Sequence, residues 1–306
     1  MWSPISEMNA PLFSIVTPTF NRQSVISRSV QSVQAQTSCD YEHIIVDDGS
    51  QDDTAGVLKE IGDGRLRYEQ FSSNQGANVV RNHGIQIARG EWITFLDSDD
   101  EYLPCRLAHL VDVIERYPGS RVFVSSFRMV KRGGSCDCVN AEMYLEGSEL
   151  ERALMAYGVK IAGTAISVRR DLLQQVGGFS PSLRRLQDRQ LLLAISRFSG
   201  VHFLSRIDWC KHNSLDSISE QPRGYVAAVD DLLDVHPELA VKYRRLVGYH
   251  VARGLAKKCL KLDFTTAFRE WRANKNGRHL NFGLGELCRD YLYGKQIRQS
   301  DVFTGA

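Results

Sequence analysis

The stretch Leu96-Asp97-Ser98-Asp99-Asp100 places three carboxylates at the end of an apolar run. On an extended chain, residues two apart project to the same side, so Asp97 and Asp99 are expected to grip one cation together. Hard carboxylate oxygens suit Mg2+ or Mn2+, ions that keep part of their shell for water or a phosphate. The same acids also fit a solvated turn with an N-cap acid before the helix that follows. A second acidic turn, Asp47-Asp48-Gly49-Ser50 with Asp52-Asp53-Thr54, is ordinary turn chemistry by itself. Thr17-Pro18-Thr19, Asp47-Asp48 and Asp97-Asp99 nonetheless each close a strand-like run. Three polar ends on one sheet edge make a ligand site the stronger reading.

Such ends need a scaffold. Up to about residue 130, short apolar runs rich in β-branched residues alternate with segments of helical period, which is the pattern of a parallel sheet flanked by helices. The expected strands are Phe13–Thr17, His43–Val46, Leu66–Tyr68, Trp92–Leu96 and Val122–Val124. The expected helices are Ser24–Gln36, Thr54–Ile61, Ala77–Ala88 and Leu103–Arg116. Arg132-Gly133-Gly134 predicts a loop or hairpin, followed by a strand at Thr164–Val168 and helices at Asp171–Val176 and Leu186–Phe198. Beyond Tyr225 the pattern is amphipathic helix alone.

The 306 residues are 43% hydrophobic and 24% charged, the balance of a globular chain with a buried core. A net charge of +2 gives no reason to expect a nucleic-acid partner. It conceals a basic tail, with 14 Lys and Arg against 4 Asp and Glu from residue 241 to 300. Seven cysteines, none in C-x-x-C spacing, read as free thiols. No apolar run approaches the ~20 residues that cross a bilayer. The opening residues lack the basic start and apolar stretch of an export signal, so the expected location is cytoplasmic.

The order Ser14-Ile15-Val16-Thr17-Pro18-Thr19, Val46-Asp47-Asp48-Gly49-Ser50, Asn74-Gln75-Gly76, Arg81-Asn82 and Asp97-Ser98-Asp99-Asp100 resembles the nucleotide-sugar half of glycosyltransferase family 2. The resemblance continues more weakly through Gly177-Gly178-Phe179 to about residue 219. It implies an A-type glycosyltransferase fold: a Rossmann-like, mostly parallel sheet flanked by helices, binding a nucleoside-diphosphate sugar and inverting the anomeric carbon. It further implies that Pro18, Thr19 and Asp48 hold base and ribose, that Arg81 lies near the donor, and that Asp97 and Asp99 match the D-x-D pair holding ribose and Mn2+ or Mg2+. Arg81 fits a salt bridge to the acidic edge equally well. His212 matches a late His/Ser segment, with Ser217 and Ser219, that closes over the diphosphate or metal.

A transferred sugar also requires a carboxylate outside the metal cluster to take the acceptor's proton. Asp188 stands where the family carries that base, although the preceding residue is Gln187 rather than the usual Glu, and Leu191-Leu192-Leu193 replaces the usual aromatic residues. Helix capping is the competing role. The Q-x-x-R-W motif of processive synthases is absent, which implies one sugar per encounter. A haloacid-dehalogenase-like phosphatase fits poorly, because Glu101 stands where its motif wants Thr or Val. A non-catalytic nucleotide-sugar or glycan-binding protein of the same fold is the other alternative.

The expected organisation is a catalytic domain at 11–220, divided into a donor half (11–130) and an acceptor half (131–220), then a basic helical C-terminal region at 221–306. Arg244-Arg245, Arg253, Lys257-Lys258 and Lys261 alternate with Leu246, Val247, Leu255 and Leu260. Such a stretch suits an anionic membrane surface presenting a lipid-linked acceptor, and equally a solvated face packed on the domain. By family association the pathway is bacterial surface-polysaccharide synthesis, with a glycan or lipid-linked acceptor.

Overall fold

The computed structural model describes residues 10–37, 40–212 and 224–298. The sheet grows from β1 (Phe13–Thr19), buried at all seven positions as a strand covered on both faces must be. There follow α1 (Ile26–Gln34), β2 (Tyr41–Asp47), α2 (Thr54–Ile61), β3 (Leu66–Gln70), α3 (Ala77–Ile87) and β4 (Trp92–Phe95). β2 and β4 flank β1, and β3 lies outside β2, all in parallel. The chain thus leaves β1 first to one side and then to the other, which opens a crevice beyond the carboxyl ends of the strands. Ile44 and Val46 join the large core on one face of β2, whereas Ile45 turns to a smaller core with Ile26, Val30, Leu58 and Leu66.

The second half comprises β5 (Glu101–Tyr102), α4 (Arg106–Arg116), β6 (Val122–Lys131), β7 (Gly134–Cys138), β8 (Met143–Leu145), α5 (Gly147–Ala156), β9 (Ile166–Arg169), α6 (Arg170–Val176), α7 (Gln187–Ile195) and β10 (Val201–His212). The sheet order is β3-β2-β1-β4-β9-β6-β10-β5, with β7 on β6 and β8 on β10. β9 runs antiparallel to β4 and β6, and β10 is parallel to β6 but antiparallel to β5, so the parallel first half continues into a mixed sheet. Arg132-Gly133 is the turn of the β6–β7 hairpin.

Some local expectations shift. The Leu103 N–H is taken by the Asp208 carbonyl at 2.9 Å, so α4 starts at Arg106. Gly163–Ala165 forms a 3-10 turn, so β9 starts two residues after the expected Thr164. The segment around Trp209–His212, for which the sequence predicts no strand, is strand because β6 and β5 pair with both of its edges.

The remaining elements are α8 (Tyr225–Val235), α9 (Pro237–Lys242), α10 (Arg244–Leu260), α11 (Phe264–Asn276) and α12 (Leu284–Arg298). Val226, Val229, Leu246, Val251 and Leu287 from these helices belong to the same continuous core as the strands. Polar contacts reinforce the junction: His250 Nε2 donates to the Met155 carbonyl at 2.6 Å, and the Tyr243 hydroxyl to Glu151 at 2.9 Å. Among the described residues no helix is long and apolar enough to cross a membrane.

Candidate active site

The crevice wall begins at the end of β1, where Pro18 pairs in register with Val46 and the Thr19 carbonyl accepts the Asp48 N–H at 2.9 Å. The Thr19 hydroxyl is buried and has no hydrogen-bond partner. Asp47 is committed to the fold, accepting the Ser50 N–H at 2.8 Å and the Tyr68 hydroxyl at 2.7 Å. Asp48 accepts the N–H groups of Gln75 (2.7 Å) and Gly76 (2.8 Å), which fixes the start of α3 against the end of β2. A little over one turn along α3, Arg81 is buried and donates to Asp97 Oδ1 at 2.7 Å and to Asn78 at 3.3 Å. Its Nε has no partner. The salt bridge to the acidic edge is therefore formed.

The acids do not lie on an extended strand. β4 stops at Phe95, and the Asp100 N–H donates back to the Asp97 carbonyl at 2.9 Å, folding Asp97–Asp100 into a tight turn. The strand-alternation argument for Asp97 and Asp99 is corrected accordingly: a turn, not a pleat, sets their directions. Asp100 is fully buried and accepts the Thr164 hydroxyl at 2.8 Å and the His212 N–H at 3.2 Å. Thr164 Oγ1 also accepts the Asp97 N–H at 3.1 Å, tying the turn to the start of β9. Lys211 Nζ lies 4.0 Å from Asp100 Oδ2.

Asp188 reaches the same place from α7. A side chain on Gly163 would begin 3.2 Å from Asp188 Oδ1 and 3.8 Å from Asp97 Oδ1, so the two carboxylates share the space this glycine leaves open. Asp188 lies in the first turn of α7, whose N-cap is Leu186 with no side-chain cap bond. His212 is placed at the end of β10 with its ring nitrogen 2.9 Å from Glu101, beside the acidic turn but paired away from Asp97 and Asp99. Ser217 and Ser219 lie outside the described residues.

The charges interact strongly. Burial pushes the Asp100 carboxyl up to about 7, and Asp97 and Asp99 add to that against the opposing Lys211. Burial also acts on Asp97, but Arg81 and Lys211 outweigh it and hold this carboxyl below its ordinary range. Asp188 is pushed up by burial, opposed by Arg81 and reinforced by Asp97. Burial disfavours the Lys211 ammonium, yet Asp100, Asp97, Asp99 and Asp188 together raise its pKa. Lys211 and Thr164 escape sequence reasoning, because only the pairing of β10 with β5 and the turn before β9 bring them to the acids.

Among the described residues no group of three or more His, Cys, Asp or Glu side chains is arranged to hold a metal. Asp97 and Asp99, both partly exposed, fit a hard divalent ion that fills most of its shell with water and phosphate oxygens. The unpartnered Thr19 hydroxyl and Arg81 Nε are donors left over for a ligand.

Residues 14–176 match the model of the family described as Glycosyl transferase family 2. An uncharacterized glycosyltransferase of Haemophilus influenzae is 25% identical over 270 residues, covering 83% of this chain and 89% of the relative. The Campylobacter jejuni GalNAc(5)-diNAcBac-PP-undecaprenol beta-1,3-glucosyltransferase is 40% identical over 104 residues, 33% of this chain and 34% of the relative. The crystal structure of S. aureus TarS 1-349 in complex with UDP-GlcNAc superposes with a TM-score of 0.62 at 20% identity, over 94% of this chain and 79% of that one.

Proposed function

The chain belongs to glycosyl transferase family 2 and is a glycosyltransferase, and from that premise we propose that it moves one sugar from a nucleoside-diphosphate sugar to a hydroxyl of a glycan or lipid-linked acceptor, inverting the anomeric carbon. The observation that carries the reading is the meeting of Asp97, Arg81 and Asp188 around Gly163, from elements far apart in sequence. Pro18, Thr19 and Asp48 form the base-and-ribose wall. Asp97 and Asp99 face the diphosphate and would hold Mn2+ or Mg2+, and His212 at the end of β10 would join them only by giving up its bond to Glu101. Such an ion supplies positive charge where the departing diphosphate becomes negative. Arg81 steadies Asp97 and offers its free Nε to the donor.

Asp188 is the base. Its pKa, raised by burial, makes it a better proton acceptor than an ordinary carboxylate. The acceptor oxygen bonds to the anomeric carbon from the face opposite the breaking carbon–oxygen bond. The electron pair of that bond leaves on the diphosphate, and the acceptor's proton passes to Asp188. A lipid-linked acceptor places the enzyme at a membrane face, and the Campylobacter relative, a glucosyltransferase named for a PP-undecaprenol substrate, supports an acceptor of this class.

The test is nucleoside-diphosphate release from a panel of UDP- and GDP-sugars with Mn2+. Asp99→Ala is expected to lose donor binding and transfer together. Asp188→Asn is expected to bind donor normally and transfer at least ~100-fold more slowly. Undiminished transfer by Asp188→Asn removes it as the base, and a native chain that turns over no donor overturns the reading.

A further inference from the structure

On the acceptor side of the crevice, where α5, α7, α10 and α12 meet, several cations gather with Asp188 as the one carboxylate among the described residues to oppose them. Arg189 follows Asp188 on α7 and is 4% exposed, and its Nε and Nη1 have no hydrogen-bond partner. Buried guanidinium nitrogens are ordinarily satisfied, so an orphaned pair points to a missing acceptor. The guanidinium of Arg189 lies 4.0 Å from the centroid of the Tyr157 ring and that of Arg253 lies 4.2 Å from it. One aromatic ring thus holds two positive groups close together. Lys160 and Arg298 stand beside them, partly buried, with Lys257 exposed at the rim.

Burial and neighbouring cations disfavour the charged forms of Lys160, Lys257 and Arg189. Burial lowers the Lys160 pKa, and Arg298 and Arg253 lower it further. Lys257 responds in the same way to burial, Arg253, Lys261 and Arg298. Arg189 is lowered by burial and by Arg253, and Asp188 is the one carboxylate among the described residues that acts against this. His250, on the same helix as Arg253, is held neutral by burial and by Arg189, and offers no negative charge. The cluster is also held in place: Asn140 bonds both the N–H (2.7 Å) and the carbonyl (2.9 Å) of Lys160, and His250 ties α10 to the end of α5.

We propose that this cluster, Arg189 with Arg253, Lys160 and Arg298, binds a phosphate or diphosphate group borne by the acceptor. Guanidinium and ammonium groups converging with Asp188 as the single opposing carboxylate among the described residues suit a multiply charged oxyanion. Its assignment to the acceptor rests on the function proposed above, in which Asp97 and Asp99 take the donor's diphosphate and Asp188, one residue before Arg189, takes the acceptor's proton. Anion binding itself does not depend on that reading.

The test uses the full chain in EDTA, so that no divalent ion draws diphosphate to the acids. The calorimetric probes are inorganic pyrophosphate and farnesyl diphosphate, and phosphatidylglycerol vesicles form a third arm. Arg253→Gln and Lys160→Gln are partly exposed and spare the buried Arg189. Each is expected to weaken farnesyl diphosphate and pyrophosphate binding roughly tenfold or more, with UDP binding in Mn2+ unchanged. Farnesyl diphosphate bound at least as tightly as pyrophosphate supports a lipid-borne group. Pyrophosphate bound with farnesyl diphosphate rejected overturns the acceptor assignment. Binding of neither probe, binding undiminished in both variants, or binding of the vesicles alone overturns the anion site. Failure of the native chain to bind UDP with Mn2+ strikes the donor reading instead and leaves these outcomes legible.

Discussion

His43 lies on β2 beneath the crevice, with its Nε2 2.9 Å from the Thr17 hydroxyl, one residue before Pro18. Burial drives its pKa down to about 4, against roughly 6.5 in an unfolded chain. Between those values the unfolded chain binds a proton that the folded chain refuses. The stability this residue permits is therefore present above about pH 6.5 and is lost as pH falls toward 4, by roughly 2 kcal/mol at pH 5. His43→Gln keeps a polar group near Thr17 but does not titrate. Urea unfolding at pH 7 and pH 5 should show the native protein losing roughly 2 kcal/mol more than the variant over that interval, and parallel losses would mean that another group carries the acid sensitivity. Such a histidine carries no mark in the sequence, since it reads as one more residue of an apolar run. Asp97 and Asp99 could be named from local order, and Asp48 and Asp188 from the family resemblance, whereas the turn that aims Asp97 and Asp99 could not, because it depends on Thr164 from a distant segment.

α3 joins the two halves of the site. Asn78 and Asn82, one turn apart on the same face, both reach the segment that leads to α7. Asn78 donates to the carbonyls of Ser180 and Leu183, each at 2.8 Å, while Asn82 accepts the Phe179 N–H at 2.9 Å and donates to its carbonyl at 2.7 Å. Gly178 has φ +73°, and a Cβ there would sit 2.5 Å from Asn82 Oδ1, so this contact demands glycine twice over. Asn82→Ala strands two backbone groups of a buried residue and should cost about 1–3 kcal/mol in urea unfolding. Because the freed segment carries Asp188, kcat should fall while donor KM stays near its native value. A raised KM with kcat intact would show that α3 serves the donor alone. The four early helices were legible from their spacing, and so was the Arg132-Gly133 reversal. β10 was not, because its register breaks between Phe203 and Ile207 and again before Cys210, which destroys the alternation by which a strand is read.

The basic tail read from composition proves to be partly structural. Arg245 pairs with Asp290, Lys258 with Glu270 and Lys242 with Glu151, and α10 is buried along much of its length. Deleting everything after Tyr243 would remove Val247, Val251 and Leu287 from the common core, so truncation is a poor test of membrane association. A better one lies at the turn between α10 and α11, where Leu260, Leu262, Phe264 and Phe268 are each at least 60% exposed. Lys257 and Lys261 are exposed beside them. Apolar side chains ringed by cations suit the headgroup boundary of an anionic bilayer. Fully burying one Phe is worth ~1.5–3 kcal/mol, so even partial insertion of two should shift partitioning by roughly tenfold. Phe264→Ser with Phe268→Ser changes neither core nor crevice, and should release the protein from phosphatidylglycerol vesicles in a flotation assay while its nucleotide binding and unfolding midpoint stay unchanged. Native protein that floats equally with neutral and anionic vesicles, or a double variant that floats as well as the native, would assign the exposed face to something other than a lipid surface.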